Sequence, residues 1–279
     1  MPTVAFCLDD KPAYLLLLKV AARSLRALYG ADAPEIVCVY AGRDERVITG
    51  VQDEGIRLAR YAPVIRPEAL PPSCQHAVGC FLKLELALVP ELAHCGRVLY
   101  CDTDVLFLRR PDELFAMQPK YMAMTKEDTA PFFHDHDTLS YTWRGNEYTV
   151  PLPFPIWTHN SGVVVFNLDR LRRHDAIHNF LAFCVQNVEY IGNLDQSLLN
   201  YYFGKRITRI DGRWNSPPYR HGSLHDGAII HFQGPKPWDV RRDCFKDLRV
   251  NGFDEARALW KNWLTAEEAA LVAEWEAEN

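Results

Sequence analysis

The stretch Arg97-Val98-Leu99-Tyr100-Cys101-Asp102-Thr103-Asp104-Val105-Leu106-Phe107 decides the fold class of this chain. Its apolar run lacks the polar alternation of a half-buried strand, so it reads as a central strand covered on both faces, as in parallel α/β sheets. The rest of the sequence keeps that rhythm. Strand-like runs at 4–8, Glu35–Tyr40 and 57–61 alternate with helical patterns at 13–29, from near Arg43, and at 81–91. Residues 111–115 fit a short turn of helix. From 122 to 158 the texture changes, with Pro131, Pro151, Pro153 and Pro155, many aromatics and the turn signal Gly145-Asn146, so loop and irregular hairpin are expected there. Regular structure resumes with a buried strand at 162–167, a helix over 174–190, another after Asn193, and a strand at 228–232. Thr265 ahead of Glu267 and Glu268 resembles a capping box opening a last amphipathic helix, which carries Leu271 and Trp275.

With 279 residues, no repeats and no long polar linker, one domain is expected, and 48% hydrophobic with 24% charged residues exclude disordered and fibrous classes. A net charge of -5 makes nucleic acid a poor partner. The eight cysteines, at positions 7, 38, 74, 80, 95, 101, 184 and 244, include no pair at the two-residue gap of zinc sites and are read as reduced. The apolar residues 14–18 are preceded by Asp9, Asp10 and Lys11 and followed by Lys19 and Arg23, which suits an amphipathic helix better than a signal segment. No run approaches the roughly 20 apolar residues of a membrane span. A cytoplasmic location is expected. Arg241, Arg242, Lys246 and Arg249 suggest weak contact with an anionic membrane surface, although a solvated face explains the same charges.

The chemistry concentrates at the ends of two apolar runs. On an extended backbone the side chains of Asp102 and Asp104 point the same way, and a hard divalent cation relieves the repulsion of two adjacent carboxylates. Two aspartates capping the next turn would look the same. The second run, Ala228-Ile229-Ile230-His231-Phe232-Gln233-Gly234-Pro235-Lys236-Pro237-Trp238, ends on an imidazole, followed by a glycine that lets backbone N–H groups approach an anion and a lysine that adds a point charge. Together these features favour a metal and a diphosphate.

In this order along the chain, residues 4–10, Phe81-Leu82-Lys83-Leu84, 98–104, His159-Asn160-Ser161-Gly162 with the run to Asn167, Asn193-Leu194-Asp195-Gln196 and 231–238 resemble the family-8 retaining glycosyltransferases, the group that includes glycogenin and the bacterial lipopolysaccharide galactosyl- and glucosyltransferases. The resemblance implies an α/β fold of GT-A type, Rossmann-like, with a mixed, mostly parallel sheet over residues 1–240, and a helical extension at 241–279 packed on or beside it. It implies manganese or magnesium on Asp102, Asp104 and His231, with Asp102 also near the ribose, and a nucleotide-sugar donor, expected to be a UDP-sugar. Gly234 and Lys236 would hold the diphosphate. Asp9 and Asp10 would lie at the base and Lys83 against the donor, a lysine where arginine would supply a planar fork. Asn160, Asp195 and Gln196 would attend the transferred sugar as catalytic residues, the anomeric configuration being kept.

A nucleotidyltransferase or dinucleotide-dependent oxidoreductase would need a glycine-rich loop after the first strand, where Cys7-Leu8-Asp9-Asp10-Lys11 has no glycine. A non-catalytic nucleotide-sugar or carbohydrate-binding protein of the same fold is the remaining alternative. The acceptor is expected to be a carbohydrate, a lipid-linked glycan or a protein. Its pocket is expected in the irregular stretches 62–79 and 128–158, where Phe132, Phe133, Tyr141, Trp143, Tyr148 and Trp157 could stack on a sugar ring. Asp128 is a further acidic candidate, and His134-Asp135-His136-Asp137 reads as a solvated run without metal.

Overall fold

The computed structural model describes residues 1–66, 68, 70, 78–126, 138–151, 158–188, 194–218, 226–239 and 250–278. Strand β1 (Thr3–Leu8) leads into helix α1 (Pro12–Tyr29), and β2 (Glu35–Tyr40), α2 (Glu45–Asp53) and β3 (Arg57–Arg60) follow. After α3 (Val78–Leu82) and 3-10 turns come β4 (Arg97–Cys101), β5 (Val105–Phe107), α4 (Asp112–Ala116), β6 (Met122–Lys126) and the hairpin β7 (Thr138–Trp143) and β8 (Asn146–Pro151). The chain continues through β9 (His159–Asn167), α5 (Leu168–Arg172), α6 (Ala176–Asn187), α7 (Leu194–Phe203), β10 (Ile207–Ile210), β11 (Ile229–His231), α8 (Val250–Lys261) and α9 (Ala266–Glu278).

Among the described residues the central sheet has seven strands in the order β10-β6-β9-β4-β1-β2-β3. All neighbours run parallel except β9, which is antiparallel to both β4 and β6. The sheet is therefore mixed and mostly parallel. Its alternating side chains enter two cores: Val4, Phe6 and Leu8 of β1 pack with α1 and α2 on one face, while Ala5 and Cys7 pack on the other with residues of α5, α6 and α7. Two-sided burial is why the strand sequences run apolar without alternation.

A third core lies on the outer side of α1. There Leu16, Leu17 and Val20 meet Leu106, Ile230 and Phe232, with Phe253, Ala256, Trp260 and Val272 from α8 and α9 closing over them. The capping box at α9 is reciprocal: Thr265 N–H donates to Glu268 Oε2 (2.9 Å) and Glu268 N–H to Thr265 Oγ1 (3.2 Å). Glu268 also takes Arg23 of α1 (2.5 Å), tying the last helix to the first.

Several elements differ from expectation. The helix expected at 81–91 is a short α-helical turn followed by 3-10 helix over Lys83–Leu88, and it stops early because Pro90 restricts Val89 to extended backbone (φ -69°, ψ 119°). The helix expected at 174–190 begins at Ala176, because His174 and Asp175 both have φ of 54° and separate it from α5. Within 122–158, Met122–Lys126 is a sheet strand between β9 and β10, although Met-Ala-Met-Thr-Lys carries little β propensity. β10 was not legible, and α8 falls within the helical extension expected at 241–279 without having been placed there as a separate helix. The hairpin turn falls at Arg144-Gly145.

Trp260 is fully buried in the core that joins α8 and α9 to α1. Trp260→Ala is expected to destabilise the chain by roughly 3–5 kcal/mol in urea denaturation, in one cooperative transition. A loss under about 1 kcal/mol would show that this core is not coupled to the sheet.

Candidate active site

The carboxyl ends of β1 and β4, the start of β9 and the end of β11 meet at one edge of the sheet. Residues 102–104 bend between β4 and β5 rather than continuing extended, yet both carboxylates reach the same imidazole. His231 Nε2 lies 3.3 Å from Asp104 Oδ1 and 3.7 Å from Asp102 Oδ2. The antiparallel pairing of β11 with β5 sets this up by placing His231 opposite Val105, with Phe232 N–H donating to the Asp104 carbonyl (2.9 Å).

Two further contacts fix the ring. His231 Nδ1 meets Asn215 Oδ1 (2.8 Å), the arrangement in which Nδ1 carries the hydrogen and Nε2 turns its lone pair to the carboxylates. Asn215 Nδ2 in turn donates to Asn160 Oδ1 (2.7 Å), which also accepts the Gly162 N–H (2.9 Å). The ring lies so close over Gly162 that a Cβ there would come 2.1 Å from His231 Cε1, so only glycine fits. Two carboxylate oxygens and an oriented imidazole nitrogen, all within 4.8 Å of one another, suit a divalent cation.

Beneath them sits Lys83, 1% exposed at its side chain, with its ammonium 2.8 Å from Asp102 Oδ1 and 2.9 Å from Asp195 Oδ2. It also reaches the Ser161 carbonyl (3.3 Å) and Oγ (3.4 Å) and lies over the Tyr100 ring. Burial alone would lower the Lys83 pKa, but Asp102 and Asp195 outweigh it and hold it above the ordinary lysine value. Asp195 lies in the first turn of α7 and accepts from Ser161 Oγ (2.7 Å); burial keeps its carboxyl above the usual range despite Lys83. Its neighbour Gln196 accepts the Ser161 N–H at Oε1 (3.2 Å). Tyr100 donates to Asp102 Oδ1 (2.5 Å), its phenol held protonated by burial and by that carboxylate.

Lys236 donates to Asp104 Oδ2 (2.6 Å) and to the Phe232 carbonyl (3.2 Å). Gly234 ahead of it has φ of 89°, a left-handed turn that a side chain would strain. Asp9 lies beside Lys11 (3.3 Å). Asp10 is engaged by the loop after β2, accepting from the Tyr40 hydroxyl and the Arg43 and Asp44 N–H groups (3.0 and 3.1 Å).

The residues expected in the metal, phosphate and sugar roles are thus drawn together, while Asp10 and Asn160 are engaged in holding neighbouring segments. Sequence reasoning missed Tyr100 and Asn215. Tyr100 stands two residues before Asp102, and the alternation of a strand could have flagged it; Asn215 carries no local signal. Asp128, Phe132, Phe133, Trp157, the run His134-Asp135-His136-Asp137, Arg241, Arg242, Lys246 and Arg249 lie outside the described residues, as do the side chains of Tyr141 and Trp143. Tyr148 is exposed on the hairpin.

The sequence profile of glycosyl transferase family 8 matches residues 5–241. The chain belongs to this family. It is a glycosyltransferase, which removes the non-catalytic binding protein as a reading. Among solved structures it is similar to the galactosyltransferase LgtC in complex with donor and acceptor sugar analogues, at 22% identity over 94% of this chain and 100% of that one, with a TM-score of 0.65. It is also similar to the glycosyltransferase GlyE of Streptococcus pneumoniae in its apo form, at 16% identity over 99% of this chain and 63% of that one (TM-score 0.63). A third likeness is to mouse xyloside xylosyltransferase 1, at 16% identity over 84% and 97% of the two chains (TM-score 0.52). These structures share the GT-A fold with the chain. No curated protein sequence matches it. Among the described residues, no helix of the glycosyltransferase is long and apolar enough to cross a membrane.

Burial on its own would raise the Asp104 carboxyl, but the Lys236 ammonium beside it outweighs burial and holds it well below the usual range. A depressed folded-state pKa stabilises the fold fully above the unfolded value, about 4, and that stabilisation is lost as pH falls below it. The stability difference between wild type and Asp104→Asn should therefore stay constant from about pH 7 to 5 and shrink below about pH 4 in pH-resolved denaturation. A difference that grew on acidification would overturn the assignment.

Proposed function

We propose that this glycosyltransferase transfers a hexose from a UDP-sugar to a glycan, lipid-linked or protein acceptor with retention of anomeric configuration. The observation that carries this reading is the convergence of Asp102, Asp104 and the Nε2 of His231 at the end of the central strand, with Lys236 beside them. Asp102, Asp104 and His231 would hold manganese or magnesium, which neutralises charge on a departing diphosphate without proton transfer.

The chain's own residues supply the rest. Lys236 can exchange Asp104 for a diphosphate oxygen from where it stands, and the Gly234 turn lets backbone approach the same group. Lys83 bridges Asp102 and Asp195, acting as a positioning residue beneath the donor. Gln196 is a neutral amide and a poor nucleophile, and the carboxylate of Asp195 is held by Lys83 and Ser161, so the set favours same-face return over a covalent intermediate. Gln196 would stabilise the sugar, and the acceptor proton would leave with the diphosphate. Asn160 would act through Asn215 and His231, and Asp9 and Asp10 would border the base.

Donor consumption measured across UDP-sugars should require Mn2+ or Mg2+ and stop with EDTA. Asp104→Asn and His231→Gln should each lower turnover by on the order of 10²–10³-fold. Turnover without metal, or loss in only one of the two variants, would defeat the shared-metal reading.

The Asn215–His231 contact predicts a separate effect. Asn215→Ala should weaken Mn2+ binding by about 10–100-fold in calorimetric titration while turnover at saturating Mn2+ is largely retained. A lowered melting temperature with unchanged Mn2+ affinity would mean that Asn215 only supports the fold.

A further inference from the structure

The opposite end of the sheet carries a second cluster that the transfer reaction does not use. It lies at the amino-terminal edge, separated from Asp102 by the length of β4, roughly 17 Å. There Glu35 opens β2, Thr3 opens β1, and His94 and Cys95 occupy the turn before β4. Glu35 Oε2 lies 3.4 Å from His94 Nε2, which lies 3.4 Å from Cys95 Sγ, and the three ligand atoms fall within 4.8 Å of one another.

We propose that Glu35, His94 and Cys95 form a zinc-binding site independent of the transferase centre. Zinc bonds of about 2.0–2.3 Å in tetrahedral geometry imply edges of about 3.3 Å between nitrogen and oxygen and about 3.5 Å between nitrogen and sulfur. The observed separations match both edges to within a few tenths of an ångström. The ligands are also held from outside. Arg57 binds the other oxygen of Glu35 (2.8 Å), and the Thr3 hydroxyl donates to Glu35 Oε2 (3.1 Å) and contacts Cys95 Sγ (3.4 Å). The backbone of Cys95 is fixed at both groups, its N–H donating to the Leu92 carbonyl (2.9 Å) and its carbonyl accepting from Arg172 (2.8 Å).

Access comes from one side. The His94 side chain is 57% exposed while Cys95 is buried, so a cation would arrive past the imidazole and keep water in its fourth position. The donor chemistry separates the two sites: thiolate, imidazole and one carboxylate favour a borderline ion such as zinc, whereas two carboxylates and one imidazole suit manganese or magnesium. Occupied, the cluster would clip the start of β2 to the turn that launches β4.

Cobalt(II) is the probe, because a thiolate ligand gives it a near-ultraviolet charge-transfer band that the Asp102, Asp104 and His231 set, which has no sulfur, cannot produce. Full-length reduced protein titrated with Co2+ should develop that band to saturation, and Zn2+ should displace it. Cys95→Ser should abolish the band. His94→Gln, at an exposed position that tolerates exchange should Cys95→Ser fail to fold, should weaken Co2+ binding at least tenfold without changing Mn2+-dependent donor turnover. Absence of the band, its survival in Cys95→Ser, or unchanged Co2+ affinity in His94→Gln would each overturn the proposal and leave a hydrogen-bonded cluster only.

Discussion

The fold depends on how three carboxylates can be held at one sheet edge. Asp102, Asp104 and Asp195 converge where β4 ends, and two ammonium groups keep them from repelling one another apart. Lys83 does this for Asp102 and Asp195 from inside the protein, and Lys236 does it for Asp104 from the side. A buried lysine is costly on its own, and removing one partner of such a pair costs about 3–5 kcal/mol because the other charge is left without compensation. The 3-10 segment carrying Lys83, the end of β4, the start of β9 and the first turn of α7 are therefore fixed relative to one another by one cation.

The antiparallel strand β9 follows from the same need. Running against β4, it brings its first residues rather than its last to the edge where β4 terminates, so Asn160, Ser161 and Gly162 at its start lie beside Asp102. The Asp102 N–H donates to the Gly162 carbonyl (2.7 Å), and Ser161 reaches both Lys83 and Asp195. His231 arrives from a separate two-stranded pairing whose register must be held: a slip of one residue would turn the imidazole to the far side of the ribbon. The Phe232 bond to the Asp104 carbonyl and the tight seat over Gly162 oppose that slip.

Much of this was legible in the sequence, for identifiable reasons. Strands such as Thr3–Leu8 and His159–Asn167 are buried on both faces, so their apolar runs announce themselves without any partner information. Asp102, Asp104 and His231 end such runs. What could not be read depends on contacts between distant segments. Met122–Lys126 becomes a strand because β9 and β10 flank it, against its own weak propensity, and α8 folds over α1 across more than 200 positions of chain. Asn215 has meaning only once His231 stands beside it. The Glu35, His94 and Cys95 cluster was invisible for the same reason, since a search for paired cysteines cannot find ligands contributed by one strand and a distant turn.

Exposure then divides the polar set by task. The side chains of Lys83, Asp195, Asp104 and His231 are between 1% and 8% exposed, whereas Asp102 and Lys236 are 28% and 22% exposed. The deeply buried members have their orientation set by protein contacts: Lys83 and Ser161 for Asp195, Asn215 for His231. They can present fixed geometry without reorganising when a charged ligand arrives, and such preorganised dipoles and charges contribute most in a dry site. Asp102 and Lys236 retain one face toward solvent and are the groups able to change partners. That division explains why residues such as Asn160 and Asp10 are engaged in internal bonds: precision at two open groups requires a larger number of closed ones around them.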